Sequence, residues 1–264
     1  MDVLFAILLG IVQGITEFLP VSSSGHLIVV SSIFSGHPLP LHLNVGLHIG
    51  TLLAVFIFFW RDWWQLLVAL FDDFFRGKKS FYSRVLFPSL IIGSVPAGVI
   101  GIFLQDRIEE MFHQSSFVAW PLIVVGIIIW WGDKTSKKGD RLETLSISTA
   151  FGIGCAQALA LIPGVSRSGI TILAARLAGF NRHDSARFCF LLGAPAMFGA
   201  ALLNGSEIIT SMNEREFIIG MLTSVVVGCL SIKFLLAVIE RFGFGFFACY
   251  RIALGILILF LTTN

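Results

Sequence analysis

Long apolar runs separated by short polar segments make up most of the sequence. We interpret six of these runs as membrane-spanning helices, because about 20 mostly apolar residues cross a bilayer. The six runs cover residues 41–60, 85–104, 117–131, 188–203, 217–239 and 246–261. The polar segments between the runs, among them residues 61–84, are interpreted as loops.

Two further apolar regions are interrupted too early to span. The first run of the chain ends at Pro20, and the run that follows, residues 27–34, is much too short to cross alone. The same layout of short helix, Pro/Gly/Ser turn and short helix returns around Pro163. We therefore predict two re-entrant helical hairpins, at residues 2–35 and 144–180. Such irregular backbone is tolerated at membrane depth only where protein or a water-filled cavity surrounds it.

Charged residues are distributed unevenly among the connecting segments, which predicts the orientation of the chain. Basic segments favour the cytoplasm. This rule places residues 61–84, residues 132–143 and the region of Arg176, Arg182 and Arg187 inside, and leaves the acidic segments 105–114 and 205–216 outside. The first hairpin then enters the membrane from the outside and the second from the cytoplasm.

The two halves of the chain, residues 1–132 and 133–264, therefore have opposite predicted topology. We interpret them as an inverted repeat within a single membrane domain, residues 1–264. In folds of this kind the discontinuous helices meet near the midplane and form the binding site.

The composition agrees with this architecture. The chain is 56% hydrophobic and 13% charged, with a mean hydropathy of +0.90, whereas soluble domains have about 25% charged residues. These values predict an all-α polytopic membrane protein. The net charge of +2 is too small to indicate a nucleic-acid partner. The four cysteines form no CxxC pair, so we expect small buried side chains rather than a disulfide or metal framework.

The two predicted turns carry related motifs. The first reads Gln13-Gly-Ile-Thr-Glu17-Phe-Leu-Pro-Val-Ser-Ser-Ser-Gly-His26, and the second reads Gln157-Ala-Leu-Ala-Leu-Ile-Pro-Gly-Val-Ser-Arg-Ser-Gly169. Aligned on the glutamines, Val-Ser-Ser-Ser-Gly falls on Val-Ser-Arg-Ser-Gly. Ionisable residues inside a membrane are costly and mark functional sites.

The residue types in these turns suit an anion. Gln13 and Glu17 lie four apart and share a helix face. The serines of both turns stand at helix starts, where free N–H groups and the helix dipole attract anions. Arg167 adds a planar donor fork suited to phosphate. A Ser/Gly turn can also be only a helix cap, and a glutamine or a histidine such as His48 can be structural, but the duplication favours function.

The two motifs resemble the bacitracin-resistance (BacA-type) undecaprenyl-diphosphate phosphatases, and the resemblance covers essentially the whole chain. It includes residues 47–54, 188–195 and 250–252. The resemblance implies removal of one phosphate from undecaprenyl diphosphate, a hydrolysis of a diphosphate anhydride bond that recycles the cell-wall lipid carrier. It also implies a bacterial inner-membrane location, an active site open to the periplasmic face and a divalent cation, Mg²⁺ or Ca²⁺.

Carried over residue by residue, the resemblance assigns roles within the two turns. It implies catalytic roles for Glu17, Ser23, His26 and Arg167, and a metal site at Glu17 and Gln13. Because position 13 holds glutamine, the chain offers one carboxylate there instead of two. The remaining residues of the turns are assigned to the substrate phosphates; they are Ser22, Ser24, Gly25, Ser166, Ser168, Gly169 and Thr171.

The sequence leaves several alternatives open. Either Ser23 is the nucleophile, with His26 as general base, or His26 attacks directly. The inverted repeat also fits a transporter or flippase of a phosphate-headed polyprenyl lipid. A non-catalytic membrane scaffold would leave Glu17, His26 and Arg167 unexplained. The oligomeric state stays open, with a homodimer as one alternative.

Overall fold

The structure, a computed structural model, describes residues 2–111, 117–136 and 139–263, and these residues are almost entirely helical. Within these ranges the secondary structure outside helices is limited to turns and one isolated bridge between Asp140 and Phe180. The α-helices are α1 (Val3–Thr16), α2 (Ser23–Ser35), α3 (Leu41–Phe58), α4 (Trp60–Arg76), α5 (Phe87–Met111), α6 (Ala119–Thr135), α7 (Ile147–Ala158), α8 (Arg167–Leu177), α9 (Arg182–Leu203), α10 (Gly205–Ser211), α11 (Arg215–Phe242) and α12 (Gly245–Thr263).

Several helices are long and apolar enough to cross a membrane, which confirms the predicted class of polytopic helical membrane protein. In the described residues there are five such segments, namely α3, Tyr82–Leu104, α9, α11 and Gly245–Thr262. The sixth predicted span corresponds to α6, which has 17 residues. The count of six therefore stays a prediction. The predicted acidic segment 105–114 and basic segment 132–143 lie partly outside the described residues.

The two predicted hairpins have the same local backbone. In the first, α1 and α2 flank a turn that contains Ser22; in the second, α7 and a short 3₁₀ segment, Leu159–Leu161, precede a turn that contains Ser166. Ser22 and Ser166 have φ of 77° and 73°, and they are the non-glycine residues with positive φ in the described chain. Each serine hydroxyl accepts a hydrogen bond from the glycine N–H three residues later, which caps the following helix. Strained backbone of this kind is characteristic of functional sites.

Glycines let the short first helices of the hairpins pack closely against long helices. A Cβ added at Gly10 of α1 would lie 2.7 Å from the carbonyl oxygen of Gly220 in α11. Gly154 of α7 is similarly close to the backbone of Gly93 in α5. Small residues that allow such backbone approach are the usual basis of helix packing in membranes. The short helices α1 and α7 are thereby fixed inside a bundle, with α6 packed against α12.

The interpretation of residues 61–84 as a loop is wrong. Most of that segment is helix α4, which ends at Gly77 with φ of 64°, and a π-helical turn, Tyr82–Leu86, leads into α5. The charges at both ends of the segment are also typical of a membrane loop. The apolar residues between those charges recur every three or four positions, which is the pattern of an amphipathic helix. The predicted loop 205–216 likewise contains the short helix α10.

Candidate active site

The two turns contact each other directly. The hydroxyl of Ser24, in the first turn, accepts a hydrogen bond from the Gly164 N–H of the second turn at 3.4 Å. In return, the hydroxyl of Ser168 donates to the carbonyl oxygen of Leu19 at 3.1 Å. In each case the second residue of the helix, a serine, thus binds the backbone of the opposite turn. This reciprocal pairing brings the two sequence motifs into one site.

Arg251 of α12 donates hydrogen bonds to both turns. Its side chain is fully buried, and its guanidinium donates to five backbone carbonyl groups. Two of these, at 2.9 Å each, belong to Gly164 and Val165 of the second turn, and another, at 3.2 Å, belongs to Pro20 of the first. The other two acceptors are the carbonyls of Pro121 and Leu122 in α6. No carboxylate pairs with this arginine among the described residues.

The carboxylate of Glu17 lies at the junction of the turns and is almost completely buried. Its Oε1 atom accepts from Arg167 Nη2 at 2.7 Å. Its Oε2 atom accepts from Ser23 Oγ at 2.6 Å and from Gln13 Nε2 at 3.0 Å. Arg167 also donates to the carbonyl oxygen of Gly193 in α9 at 2.9 Å. Three of the four predicted catalytic residues, Glu17, Ser23 and Arg167, are therefore in direct contact.

The fourth predicted catalytic residue, His26, is bound elsewhere. Its Nδ1 atom lies 2.7 Å from the Ser22 carbonyl oxygen, which can only accept, so Nδ1 carries the proton. In the neutral ring, Nε2 then accepts from the hydroxyl of Tyr250 at 2.8 Å. The rings of His26 and Tyr250 are nearly parallel, with centroids 5.7 Å apart. Ser23 donates to Glu17, and His26 receives its hydrogen bond from Tyr250, so the predicted Ser23–His26 pair is not formed.

The predicted phosphate-binding hydroxyls hold the backbone of the turns. The hydroxyls of Ser22 and Ser166 cap their helices through the N–H groups of Gly25 and Gly169, and those of Ser24 and Ser168 join the turns. The hydroxyl of Thr171 donates to the carbonyl oxygen of Arg167. The N–H groups in the first turns of α2 and α8 have no partner within their helices. The assignment of these residues to phosphate stays a prediction.

Sequence reasoning missed two residues of α3 that complete the surroundings of Glu17. His48, for which a structural role was one alternative, has its Nε2 atom 3.8 Å from Glu17 Oε2. Thr51 Oγ1 lies 3.5 Å from Gln13 Nε2. Tyr250 and Arg251 also escaped assignment, although they lie within the sequence resemblance. The signal that could have found Arg251 is a permanent charge within a long apolar run.

One buried acceptor at the site, the Oε1 atom of Gln13, has no partner among the residues that the structure describes. The atom is inaccessible to solvent, and the amide nitrogen of the same side chain donates to Glu17. Such an orphaned oxygen beside a carboxylate fits a hard divalent cation, which prefers oxygen ligands. The described residues contain no cluster of three or more His, Cys, Asp or Glu that could hold a metal ion. A cation here would take one carboxylate and one amide oxygen from this helix face.

Comparison with known proteins shows the family of this chain. The family model described as bacitracin resistance protein BacA matches residues 6–257. The chain belongs to the BacA family. It is 42% identical over 253 residues to an undecaprenyl-diphosphatase of Desulforudis audaxviator, covering 96% of this chain and 95% of that relative. It is 41% identical over 258 residues to an undecaprenyl-diphosphatase of Moorella thermoacetica, covering 98% and 97% of the two chains.

The five carbonyl contacts of Arg251 predict that its removal destabilises this BacA-family protein. Arg251→Met should lower stability by at least about 3 kcal/mol, because buried carbonyl groups would lose their donors. In thermal unfolding of the detergent-purified protein, this corresponds to a midpoint roughly 6–12 °C lower. Arg241→Met, which removes an exposed arginine, is the control. Equal midpoints for the two variants would contradict the role of Arg251 in holding the turns.

Proposed function

We propose that this protein is an integral membrane phosphatase that hydrolyses undecaprenyl diphosphate to undecaprenyl phosphate and phosphate. This activity recycles the lipid carrier of cell-wall synthesis and confers bacitracin resistance. The observation that carries the proposal is the buried Glu17 carboxylate, bonded on one oxygen to the Ser23 hydroxyl and on the other to Arg167. A hydroxyl, a base and a permanent cation are the groups that phosphoryl transfer to a serine requires.

Ser23 is the nucleophile in this proposal. Its hydroxyl already donates to Glu17 Oε2 at 2.6 Å, so the carboxylate can accept the proton as Oγ attacks the terminal phosphorus. The bond between that phosphorus and the bridging oxygen breaks, and undecaprenyl phosphate leaves. Water then attacks the phosphoserine, phosphate departs, and Ser23 regains the proton held by Glu17. Glu17 thus takes the role of base that the sequence suggested for His26.

Direct attack by His26 is the less favoured alternative. Its Nε2 lone pair accepts the Tyr250 hydrogen bond and its Nδ1–H is bound to the Ser22 carbonyl. Attack would require the ring to give up the Tyr250 contact first. We assign His26 to orienting the start of α2 against α12.

Arg167 stabilises the charge of the transferred phosphoryl group. Its Nη1 and Nη2 atoms bind Gly193 and Glu17, which holds the guanidinium plane in place before substrate arrives. Arg167 stands at the start of α8, and Ser23 stands at the start of α2. The positive ends of two helix dipoles therefore add to its charge at this point. Preorganised donors of this kind need little rearrangement during the reaction.

We further propose that Glu17 and the free Oε1 atom of Gln13 hold a divalent cation, Mg²⁺ or Ca²⁺. When bound, the cation supplies neutralising charge to the phosphate oxygens. The orphaned oxygen of Gln13 supports this assignment. The single carboxylate is consistent with an ion that completes its coordination with water and substrate.

The finer topology is also a proposal. We infer that the two hairpins, residues 2–35 and 144–180, enter from opposite faces of the bacterial inner membrane, within inverted halves 1–132 and 133–264. The paired contacts support this: α1 packs on α11 as α7 packs on α5, and both turns have a serine with positive φ. The outward orientation of the first hairpin would open the site to the periplasmic face.

Phosphate release by the detergent-purified protein tests the catalytic assignment. Ser23→Ala should abolish turnover because the nucleophilic oxygen is removed. Arg167→Ala should reduce it on the order of 10²–10³-fold, as expected for loss of an electrostatic donor. Ser32→Ala, an exposed serine on the same helix, should keep full activity. Because detergent leaves no membrane to cross, release by the parent protein also excludes transport alone. Turnover by Ser23→Ala near the parent level would reject Ser23 as nucleophile.

The cation site is tested by restoring a second carboxylate. Gln13→Glu should bind Mg²⁺ or Ca²⁺ more tightly, because the added charge lies on the same helix face as Glu17. The measurement is the cation-dependent rise in unfolding temperature, read without substrate. Gln157→Glu, at the aligned position of the second turn, is the matched control. No gain of cation affinity by Gln13→Glu over the control would contradict the proposed site.

The topology is tested by labelling single cysteines in a background without the four native cysteines. A cysteine at His37, after the first hairpin, should react from the periplasmic side. A cysteine at Lys138, before the second hairpin, should react from the cytoplasmic side. Labelling of both positions from one side would reject the inverted halves.

A further inference from the structure

Helix α4 lies outside the candidate active site and has two unlike surfaces. Leu66 faces the protein and is buried. The opposite stripe, which recurs at helical spacing, is exposed and apolar, and it consists of Trp60, Trp64, Leu67, Val68, Phe71, Phe74 and Phe75. This surface is called the α4 stripe. Exposed apolar residues also lie on the spans, but on α4 they share a helix with several charged residues.

The position of α4 along the chain places it at a membrane surface. It connects the end of α3, at Phe58, to the span that begins at Tyr82. Two consecutive spans that run in opposite directions are joined on one face of the bilayer. Five charged residues within α4 make it unsuitable as a span itself; they are Arg61, Asp62, Asp72, Asp73 and Arg76. An apolar stripe with charged flanks is typical of a helix lying in the interface plane.

A cavity of about 520 Å³ opens between α4 and the segment that follows it. The lining includes the apolar residues Trp64, Val68 and Ala69 of α4, and it includes Lys78 and Lys79 from the segment that follows α4. The cavity lining therefore combines apolar residues, two of which belong to the α4 stripe, with basic residues. A phospholipid has the matching combination of apolar acyl chains and a charged headgroup.

The charges around the cavity favour an anionic occupant. Asp72, the acidic residue of the lining, forms an ion pair with Arg76 at 2.9 Å. Lys78 and Lys79 form no ion pair with any described residue. Residues 60–86 contain five basic and three acidic residues, so the segment carries a net positive charge.

Backbone hydrogen bonds hold the turn at Gly77 and Lys78, where α4 ends. Gly77, in the left-handed conformation, ends α4, and the N–H groups of Gly77 and Lys78 donate to the carbonyl oxygens of Asp73 and Asp72. This arrangement satisfies the last carbonyl groups of the helix. Lys78 and Lys79, which line the cavity, therefore stand on or directly after a hydrogen-bonded turn.

We propose that α4 is an interfacial anchor and that its cavity binds one anionic phospholipid of the surrounding leaflet. Lys78 and Lys79 bind the headgroup phosphate, and Trp64 and Val68 contact the upper acyl chains. This site is separate from the phosphatase reaction and requires no turnover.

Native mass spectrometry of the detergent-purified protein tests the lipid site. The parent protein, incubated with equal amounts of phosphatidylglycerol and phosphatidylcholine, should retain phosphatidylglycerol preferentially. Lys78→Gln/Lys79→Gln should weaken that retention roughly 25-fold, as expected for two lysines near an anionic surface. Retention of phosphatidylcholine should not change. Since no catalysis is measured, failure of this test leaves the phosphatase proposal unaffected.

A control variant separates a specific site from general charge. Lys233→Gln/Arg241→Gln removes the same charge from exposed positions on α11 and should retain phosphatidylglycerol as the parent does. Equal losses in both double variants, or no loss in Lys78→Gln/Lys79→Gln, would overturn the proposal.

A second measurement tests whether lipid covers the stripe. Val68→Cys, labelled with bimane in a background without native cysteines, is reconstituted into nanodiscs of phosphatidylglycerol. Quenching by brominated acyl chains and protection from aqueous iodide are expected. Accessibility to iodide, or protection that depends on protein concentration in lipid-free detergent, would indicate solvent or a second copy and would overturn the proposal.

Discussion

The site depends on the bonds that Arg251 makes to backbone carbonyls of both turns and of α6. A turn at the meeting point of short helices exposes carbonyl groups that no helix can satisfy. In the interior of a membrane protein water is scarce, so each unpaired carbonyl is costly. One guanidinium, with five N–H donors, satisfies groups from three chain segments at once. The charge of Arg251 is thus spread over carbonyl dipoles, and the turns are held at a fixed separation.

Glu17 and Arg167 form an ion pair at the junction of the turns, and the cost of burying it is offset by further hydrogen bonds. Each would be expensive to bury alone, and removing one would leave the other uncompensated. The Glu17 carboxylate also accepts hydrogen bonds from Ser23 and Gln13. The Arg167 guanidinium also donates a hydrogen bond to the carbonyl oxygen of Gly193. In the proposed mechanism, the contacts that make the buried pair tolerable also place the Ser23 hydroxyl and the Arg167 guanidinium for phosphoryl transfer.

The sequence predicted the features that follow from repetition and from buried charge. The duplicated turns and the Glu17–Arg167 region were accessible because ionisable residues in apolar segments require partners. Helix α4 was not predicted because its charged ends are as typical of a membrane loop as its apolar spacing is of a helix. His48 and Tyr250 were missed because a single polar residue on a long helix carries no local signal of its distant partner. Their contacts, such as Tyr250 with His26 across 224 positions, arise only from tertiary packing.

The two aligned turns carry different chemical groups at equivalent positions. Ser23 and Arg167 occupy the same position in the two motifs, at the first residue of α2 and of α8. Leu161 stands at the position that aligns with Glu17. Gln157, the counterpart of Gln13, is buried, and its side chain forms no hydrogen bond within the described part of the chain. In the proposed mechanism, the first motif thus contributes the nucleophile and its base, and the second contributes the cation. Two copies of either motif alone would lack one of these groups. A change that made the two motifs identical would therefore remove the proposed chemistry, although both turns would keep their backbone geometry.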